Sequence, residues 1–358
     1  MRRFWPIAAT AILLTAGLAQ AQSIPEDTKD YGPEDGSAGF VVRGTTDIAL
    51  FEPIMAEFSR RFPAVRIEYE QWSSNDLYLA SETDCRSGNP VADLVISSSI
   101  DQQVKLANDG CAQRYRSTGT AALPAVLNWR DEVFGITREP AVIVYNRANF
   151  SEASVPLSRF DLIDLLRPDD NRLFGRIATY DIESSGLGYL FAFADAQQAT
   201  TFGSLIEAFG RSGAVADCCS ASIIDGVATG KYLIAYNVLG SYALARADEN
   251  PDIVVVAPDD YTLVLSRAAL IPKGAAQTEL AAELLEFLLS EDGRRVLRSA
   301  HLIVDTDERV HQALRLPENP AASLRPIALS PALLVGLDKH KRQQFIARWR
   351  GTFPSEAQ

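Results

Sequence analysis

The sequence predicts an α/β protein with mostly parallel sheets and helices on both faces. Three observations lead there. Short apolar runs of strand length alternate with amphipathic helical stretches along most of the chain. Several of those runs end in small, hydroxyl-rich turns that lead straight into a helix. The chain has 358 residues, enough for two domains of ordinary size.

The elements follow in order. Residues 22–37, with Gly32, Pro33 and Gly36, read as a flexible lead-in. Gly39–Arg43 is a buried strand. Ile48, Phe51, Met55, Phe58 and Phe62 then form one apolar stripe of a helix that Pro63 ends, with Pro53 as its start or its bend. Val65, Ile67 and Tyr69 alternate with charged residues, which predicts a half-exposed strand. Further strands are predicted at 93–97, 133–136, 142–145, 176–180, 233–236, 253–257 and 263–271. Helices are predicted at 160–166, from 187 onward, at 280–289 and at 332–349. The tail from Ile303 carries Pro317, Pro320, Pro326 and Pro331, and its basic cluster Lys339–Arg342 reads as a solvated helix face.

Arg2 and Arg3 precede an apolar run, Ile7–Leu18, that is too short to span a bilayer, and Ala19-Gln20-Ala21 makes an A-x-A cleavage site. Residues 1–21 are therefore expected to be a signal peptide, with an exported mature chain that inserts in no membrane and is a monomer. The formal charge of −12 becomes −14 once Arg2 and Arg3 are lost. Such acidity repels phosphate backbones and anionic lipid heads, so nucleic acid and membrane surfaces are excluded as partners. Four cysteines in an oxidising compartment suggest disulfides: Cys85 with Cys111, and adjacent Cys218 with Cys219 as a vicinal pair. No metal-binding spacing is present, and no cofactor is implied.

Enzyme signatures are missing. There is no G-x-S-x-G elbow, H-E-x-x-H pair, phosphate loop or G-x-G-x-x-G, and the three histidines, His301, His311 and His340, sit in the last sixth of the chain. No catalytic residue is assigned. What recurs is the strand–turn–helix unit: Val41–Arg43 into Gly44-Thr45-Thr46, Leu94–Ile96 into Ser97-Ser98-Ser99, Ile177–Tyr180 into Ser184-Ser185-Gly186, and Ile234–Asn237 into Gly240-Ser241-Tyr242. At the carboxyl ends of strands such turns offer free amides, hydroxyls and close backbone approach, a set able to bind an oxyanion. They are also ordinary cap and turn chemistry, so it is their recurrence that favours a shared cleft. The candidate ligand-binding residues are Thr45, Thr46, Ser98, Ser99, Ser184, Ser185, Gly186 and Tyr242. Tyr180, Tyr236 and Trp129 are candidate walls, and Arg43 and Arg138 candidate charge partners.

The chain resembles the iron(III)/phosphosugar-type substrate-binding proteins of ABC transporters, in the extracellular solute-binding superfamily. The likeness runs from about Gly39 to Trp349 and rests on Val41–Phe58, on Ala92–Ser98, on Val142-Ile143-Val144-Tyr145-Asn146 and on Leu284–Gly293 (LLEFLLSEDG). It implies a periplasmic-binding-protein fold: two α/β lobes joined by two crossing strands near Thr137–Ala141 and Pro258–Leu263, with residues 38–137 and 263–358 forming one lobe and 138–262 the other. It implies hinge closure on a small anionic solute, a sugar phosphate or carboxylate, in the periplasm, and delivery to an ABC permease. Two other roles stay open, as partner of a periplasmic sensor-kinase domain or as an Fe(III) carrier. Ferric-binding members carry adjacent tyrosines where this chain reads Ser241-Tyr242-Ala243. A hard cation prefers anionic oxygen donors, so the lone tyrosine speaks against iron, and the hydroxyl-rich turns fit an organic anion better.

Overall fold

A computed structural model of the chain describes residues 24–36, 39–150, 155–167, 172–198, 200–305, 314 and 323–353. The expected signal peptide, Pro317, Pro320 and His311 lie outside the described residues.

The first sheet contains β1 (Asp27–Tyr31), β2 (Gly39–Gly44), β3 (Arg66–Gln71), β4 (Leu94–Ser97), β5 (Asn128–Trp129), β6 (Val133–Gly135) and β13 (Ala268–Leu270), in the order β1-β3-β2-β4-β13-β6-β5. Its centre, β3-β2-β4, is parallel; β1 and β13 pair antiparallel at its flanks. Helix α1 (Ile48–Arg61) lies on one face through Phe51, Ile54, Met55 and Phe58. Each such burial stabilises by about 1.5–3 kcal/mol. Together they exceed the roughly 3 kcal/mol that Pro53 costs inside the helix, so the helix runs through the proline. Helices α2 (Ser74–Ser87) and α3 (Ile100–Asn108) cover the other face, where Cys85 and Cys111 are joined. The short helix α4 (Thr118–Ala121), packed on α10 (Thr278–Leu289), and α11 (Glu291–Ser299), beside α1, complete this lobe.

The second sheet is built on β7 (Glu139–Asn146), with β8 (Ile177–Tyr180), β9 (Val215–Asp217), β10 (Ile234–Leu239), β12 (Thr262–Leu265) and β14 (Leu324–Pro326) in the order β14-β12-β7-β10-β8-β9; β11 (Ile253–Val256) pairs with the far end of β7. Helices α5 (Arg159–Leu165), α6 (Gly186–Gln198) and α7 (Phe202–Arg211) pack on one face, and α8 (Ser220–Ala228) and α9 (Gly240–Glu249) on the other. Cys218 and Cys219 are joined just before α8. Between Ala235 and Val238 the register of β10 against β7 shifts, with Asn237 at φ 60°, a left-handed conformation that asparagine tolerates well.

Four expectations are corrected. Residues 27–31 are an edge strand and not a flexible lead-in; their polar side chains conceal a backbone paired from Asp27–Gln71 to Tyr31–Ile67. The sheets are mixed, because the strands next to each crossing pair antiparallel. Residues 263–271 are two strands, broken at Ser266–Arg267, and this break is where the chain returns to the first sheet; the stretch 258–263 leads instead into β12 of the second. The outward crossing lies between Gly135 and Glu139. Finally, residues 263–358 do not all complete the first lobe. After β14, helices α12 (Leu334–Leu337) and α13 (Lys339–Arg350), separated at Asp338, pack on the second lobe: Tyr189 donates to the Gly336 carbonyl at 2.6 Å, Phe345 meets Tyr189, Phe193 and Phe202, and Trp349 stacks on Phe353. The same segment touches the first lobe where Leu329 N–H donates to the Val126 carbonyl, so it straps the lobes together. No helix among the described residues is long and apolar enough to cross a membrane.

Candidate functional site

Between the two sheets lies a cleft of about 260 Å³, lined from the first lobe by Thr45, Asp47, Trp72, Ser73, Ser74, Asp76 and Ser98, and from the second by Tyr180, Ser184, Ser185, Cys218, Cys219, Ser220, Leu239 and Tyr242. Arg267, on the return crossing, is part of the lining.

The first-lobe wall follows from two adjacent parallel strands. The carboxyl ends of β2 and β4 bring Thr45 beside Ser98: the hydroxyls lie 3.0 Å apart and the Ser98 amide donates to Thr45 Oγ1 at 2.9 Å. Gly44 makes the turn possible, since a Cβ there would sit 2.3 Å from the Tyr69 hydroxyl, which donates to the Thr46 carbonyl. The next wall residues open α2. Ser73 caps it, accepting from the Asp76 amide at 3.2 Å and donating to Asp76 at 2.7 Å.

Arg267 is wholly buried. Its Nε donates to Glu139 Oε1 at 2.9 Å, Nη2 to Oε2 at 3.3 Å, and Nη1 to the Thr45 carbonyl at 3.3 Å. Glu139 also accepts from Thr137 at 2.8 Å and Ser241 at 2.5 Å. Burial works against the arginine's charge but is outweighed by Glu139 and the nearby Tyr242 and Tyr69, so Arg267 is held above the ordinary arginine range. Because Glu139 begins β7 and Arg267 sits in the second crossing, this one pair ties both crossings together.

Direct bonds close the lobes over the cleft. Tyr242 of α9 donates to Asp47 at 2.7 Å and accepts from the Asp47 amide at 3.1 Å. Asn75 donates to the carbonyls of Glu183 and Ser184 at 3.0 and 2.8 Å, and Gly186 donates to Ser74 at 2.9 Å. A Cβ on Gly186 would lie 2.7 Å from both Ser99 Oγ and Gln102 Nε2, so the approach requires glycine. Burial pushes the Tyr242 hydroxyl well above the usual phenol range, and Asp47 adds to this. Tyr180, pushed up to about 12 by burial, bonds Ser220 at 2.5 Å and accepts from the Leu239 amide at 3.3 Å.

Of the eight candidates, Thr45, Ser98, Ser184, Ser185 and Tyr242 line the cleft; Thr46, Ser99 and Gly186 do not. Thr46 and Ser99 point into the protein at 0% exposure, and Gly186 is spent on the lobe contact. Ser184 and Ser185 are partly committed, to Asp181 and the Gly188 amide. Among the candidate walls Tyr180 is in place. Tyr236 is buried in the second lobe against Asp195, and Trp129 lies under Arg130. Arg43 is engaged by Glu70 and Asp84, and Arg138 by the Val304 carbonyl. The sequence reading missed Arg267, whose crossing was read as mid-strand, and the opening of α2, whose polar sequence shows little amphipathic signal.

The lobe walls differ in charge. In the second lobe α6, α8 and α9 all begin at the cleft, have no acidic residue in their first turn, and α8 and α9 have no side-chain cap. At α8 and α9 the first-turn amides carry no side-chain cap and the positive dipole ends lie at the cleft, whereas α6 already gives its Gly186 amide to Ser74 and its Gly188 amide to Ser185. The first lobe opposes them with the carboxylates of Asp47 and Asp76 and a row of hydroxyls.

Residues 41–302 match the family model described as bacterial extracellular solute-binding protein. The chain is similar to the substrate-binding protein of an ABC transporter from Agrobacterium tumefaciens, at 34% identity over 91% of this chain and 98% of that one, with a TM-score of 0.84. It shares its fold with AfuA from Actinobacillus pleuropneumoniae with fructose-6-phosphate bound (17% identity, 90% and 100% covered, TM-score 0.67) and with a ferric binding protein from Campylobacter jejuni (16%, 88% and 98%, 0.62). A comparison with curated proteins found no match.

Proposed function

Because the chain belongs to the bacterial extracellular solute-binding protein family of ABC transport systems, we propose that it captures a small polyhydroxylated anion, such as a sugar phosphate or hydroxy acid, in the periplasm and delivers it to an ABC permease. The observation that carries the ligand class is the meeting of two helix N-termini with neither a side-chain cap nor a first-turn acid, α8 and α9, with a facing wall of hydroxyls and carboxylates. Oxyanion oxygens accept from the second-lobe amides. Ligand hydroxyls donate to Asp47 and Asp76 and exchange bonds with Thr45 and Ser98. Aromatic faces of Trp72, Tyr180 and Tyr242 cover the carbon skeleton. Arg267, its charge balanced by Glu139, holds the crossings in the closed geometry at the edge of the cleft. No step of bond making is needed, and binding is coupled to hinge closure.

Iron is the weaker reading. Ligation by Tyr242 would require a phenolate, while burial and Asp47 hold that hydroxyl protonated. A sensor-kinase partner finds no specific support in the geometry.

The test is a thermal-shift screen against sugar phosphates, hydroxy acids, the corresponding neutral sugars and Fe(III). A ligand at a hundred times its Kd stabilises by about 2.7 kcal/mol, several degrees in Tm. The expected result is a shift with a phosphorylated or carboxylated polyol and none with its neutral parent. A shift with Fe(III) alone overturns the reading.

A further inference from the structure

A second cavity, also about 260 Å³, lies where α3 of the first lobe meets α6 and the C-terminal strap. Its walls are largely apolar, with Tyr189, Phe193, Leu263, Ile327 and Leu333 among them. At one point stands Asp101, 3% exposed, with Oδ1 buried and without a hydrogen-bond partner. The cleft described above uses none of these residues.

A buried carboxyl oxygen with no donor is costly, by roughly 1–3 kcal/mol or more if charged. The groups around it do not remove that cost. Arg342 of α13 lies over the Tyr189 ring at 5.1 Å and only favours charge on Asp101 through its field. Arg325, at the cavity wall, donates to the Leu324 carbonyl at 3.0 Å. The first-turn amides of α3 favour the charged form too, but burial dominates and pushes Asp101 up to about 7.

The geometry points to a second ligand site in this cavity, for a small organic amine whose ammonium bonds Asp101 and whose apolar body packs on Tyr189 and Phe193. The chemistry argues for a cation: an N–H donor with positive charge is the partner that best offsets the burial of an ionised carboxylate, and an aromatic wall adds cation–π attraction. Asp101 comes from the first lobe and the rest of the wall from the second lobe and the strap. An amine seated here bridges the lobes and favours the closed form, which makes it an effector of the cleft and not a competitor for it.

The probe is phenethylamine, with ethylbenzene as the isostere lacking the donor, titrated calorimetrically into the purified protein. Saturable binding of phenethylamine, at least tenfold tighter than ethylbenzene, is expected. Asp101→Asn keeps the shape and should weaken the amine at least tenfold; Ala194→Phe, which fills the cavity from α6, should do the same, each with an unfolding curve to confirm a folded protein. No binding to the wild type means that the cavity holds only water and overturns the inference. So does equal binding of ethylbenzene, or undiminished binding by Asp101→Asn.

Discussion

Two fully buried arginines invite comparison, Arg159 in the second lobe and Arg267 at the crossings. Each is 0–1% exposed, pairs with a carboxylate and lies near tyrosine rings. Arg159 forms an ion pair with Asp195 at 3.0 Å and donates to Asp260 at 3.1 Å, the Tyr236 hydroxyl at 2.6 Å and the Tyr261 carbonyl at 2.6 Å, while both tyrosine hydroxyls donate to Asp195. All of these partners belong to one lobe. The partners of Arg267 belong to both crossings and to the Thr45 turn, and the side chain meets the cleft. Burial and pairing are therefore not what marks a site. What marks it is that a group's partners lie on both crossings and on the wall of the cleft.

The largest expected effect is shared by the two. Arg159→Ala and Arg267→Ala each strand a buried carboxylate and should cost about 3–5 kcal/mol in unfolding free energy. The comparison breaks at the next measurement: the folded fraction of Arg159→Ala should keep its ligand-induced Tm shift, and that of Arg267→Ala should lose it. Equal loss in both would place Arg159 in the binding machinery after all.

Asp101, buried with one carboxyl oxygen lacking a donor, sharpens the contrast through pH. Its native value, raised to about 7, exceeds its unfolded value near 4, so the native state holds the extra proton between them. Its contribution is full below about pH 4 and is lost as pH rises to about 7, on the order of 4 kcal/mol. Denaturant titrations across that window should show a flatter pH dependence in Asp101→Asn than in the wild type; parallel curves would refute the assignment.

A smaller stability effect is expected from removing the crossing pair together. Glu139→Leu with Arg267→Met leaves no stranded charge and should change stability by under about 2 kcal/mol, yet ligand response should vanish. Retained binding would reduce the pair to a structural filler. The smallest effect belongs to the latch: Tyr242→Phe removes one donor to Asp47, worth about 1 kcal/mol, and should shift ligand affinity about fivefold with Tm of the free protein nearly unchanged.

Much of the fold was legible because it rests on periodicity. The stripe of α1, the apolar runs of β2, β4, β7 and β11, and the 280–289 helix are all written in the spacing of large side chains. The illegible elements were polar. β1 (DTKDY) is held by backbone pairing that side chains do not announce, and α2 (SNDLYLASETDCRS) buries only Ser74 and Leu77. That cost the site reading its first-lobe wall, since Ser73, Ser74 and Asp76 open α2.

What the sequence by itself determined is the α/β class, the cysteine pairs and the turns at strand ends, including Thr45, Ser98 and Tyr242, because local pattern and turn chemistry need no partner. Only the tertiary structure decided which hydroxyls face the cleft and which are spent on caps, that Arg267 and not Arg43 is part of its lining, and that the C-terminal helix returns to the second lobe. Those outcomes depend on contacts between residues far apart in the chain, Glu139 with Arg267, Asp47 with Tyr242, Phe193 with Phe345, and a spacing pattern carries no record of them.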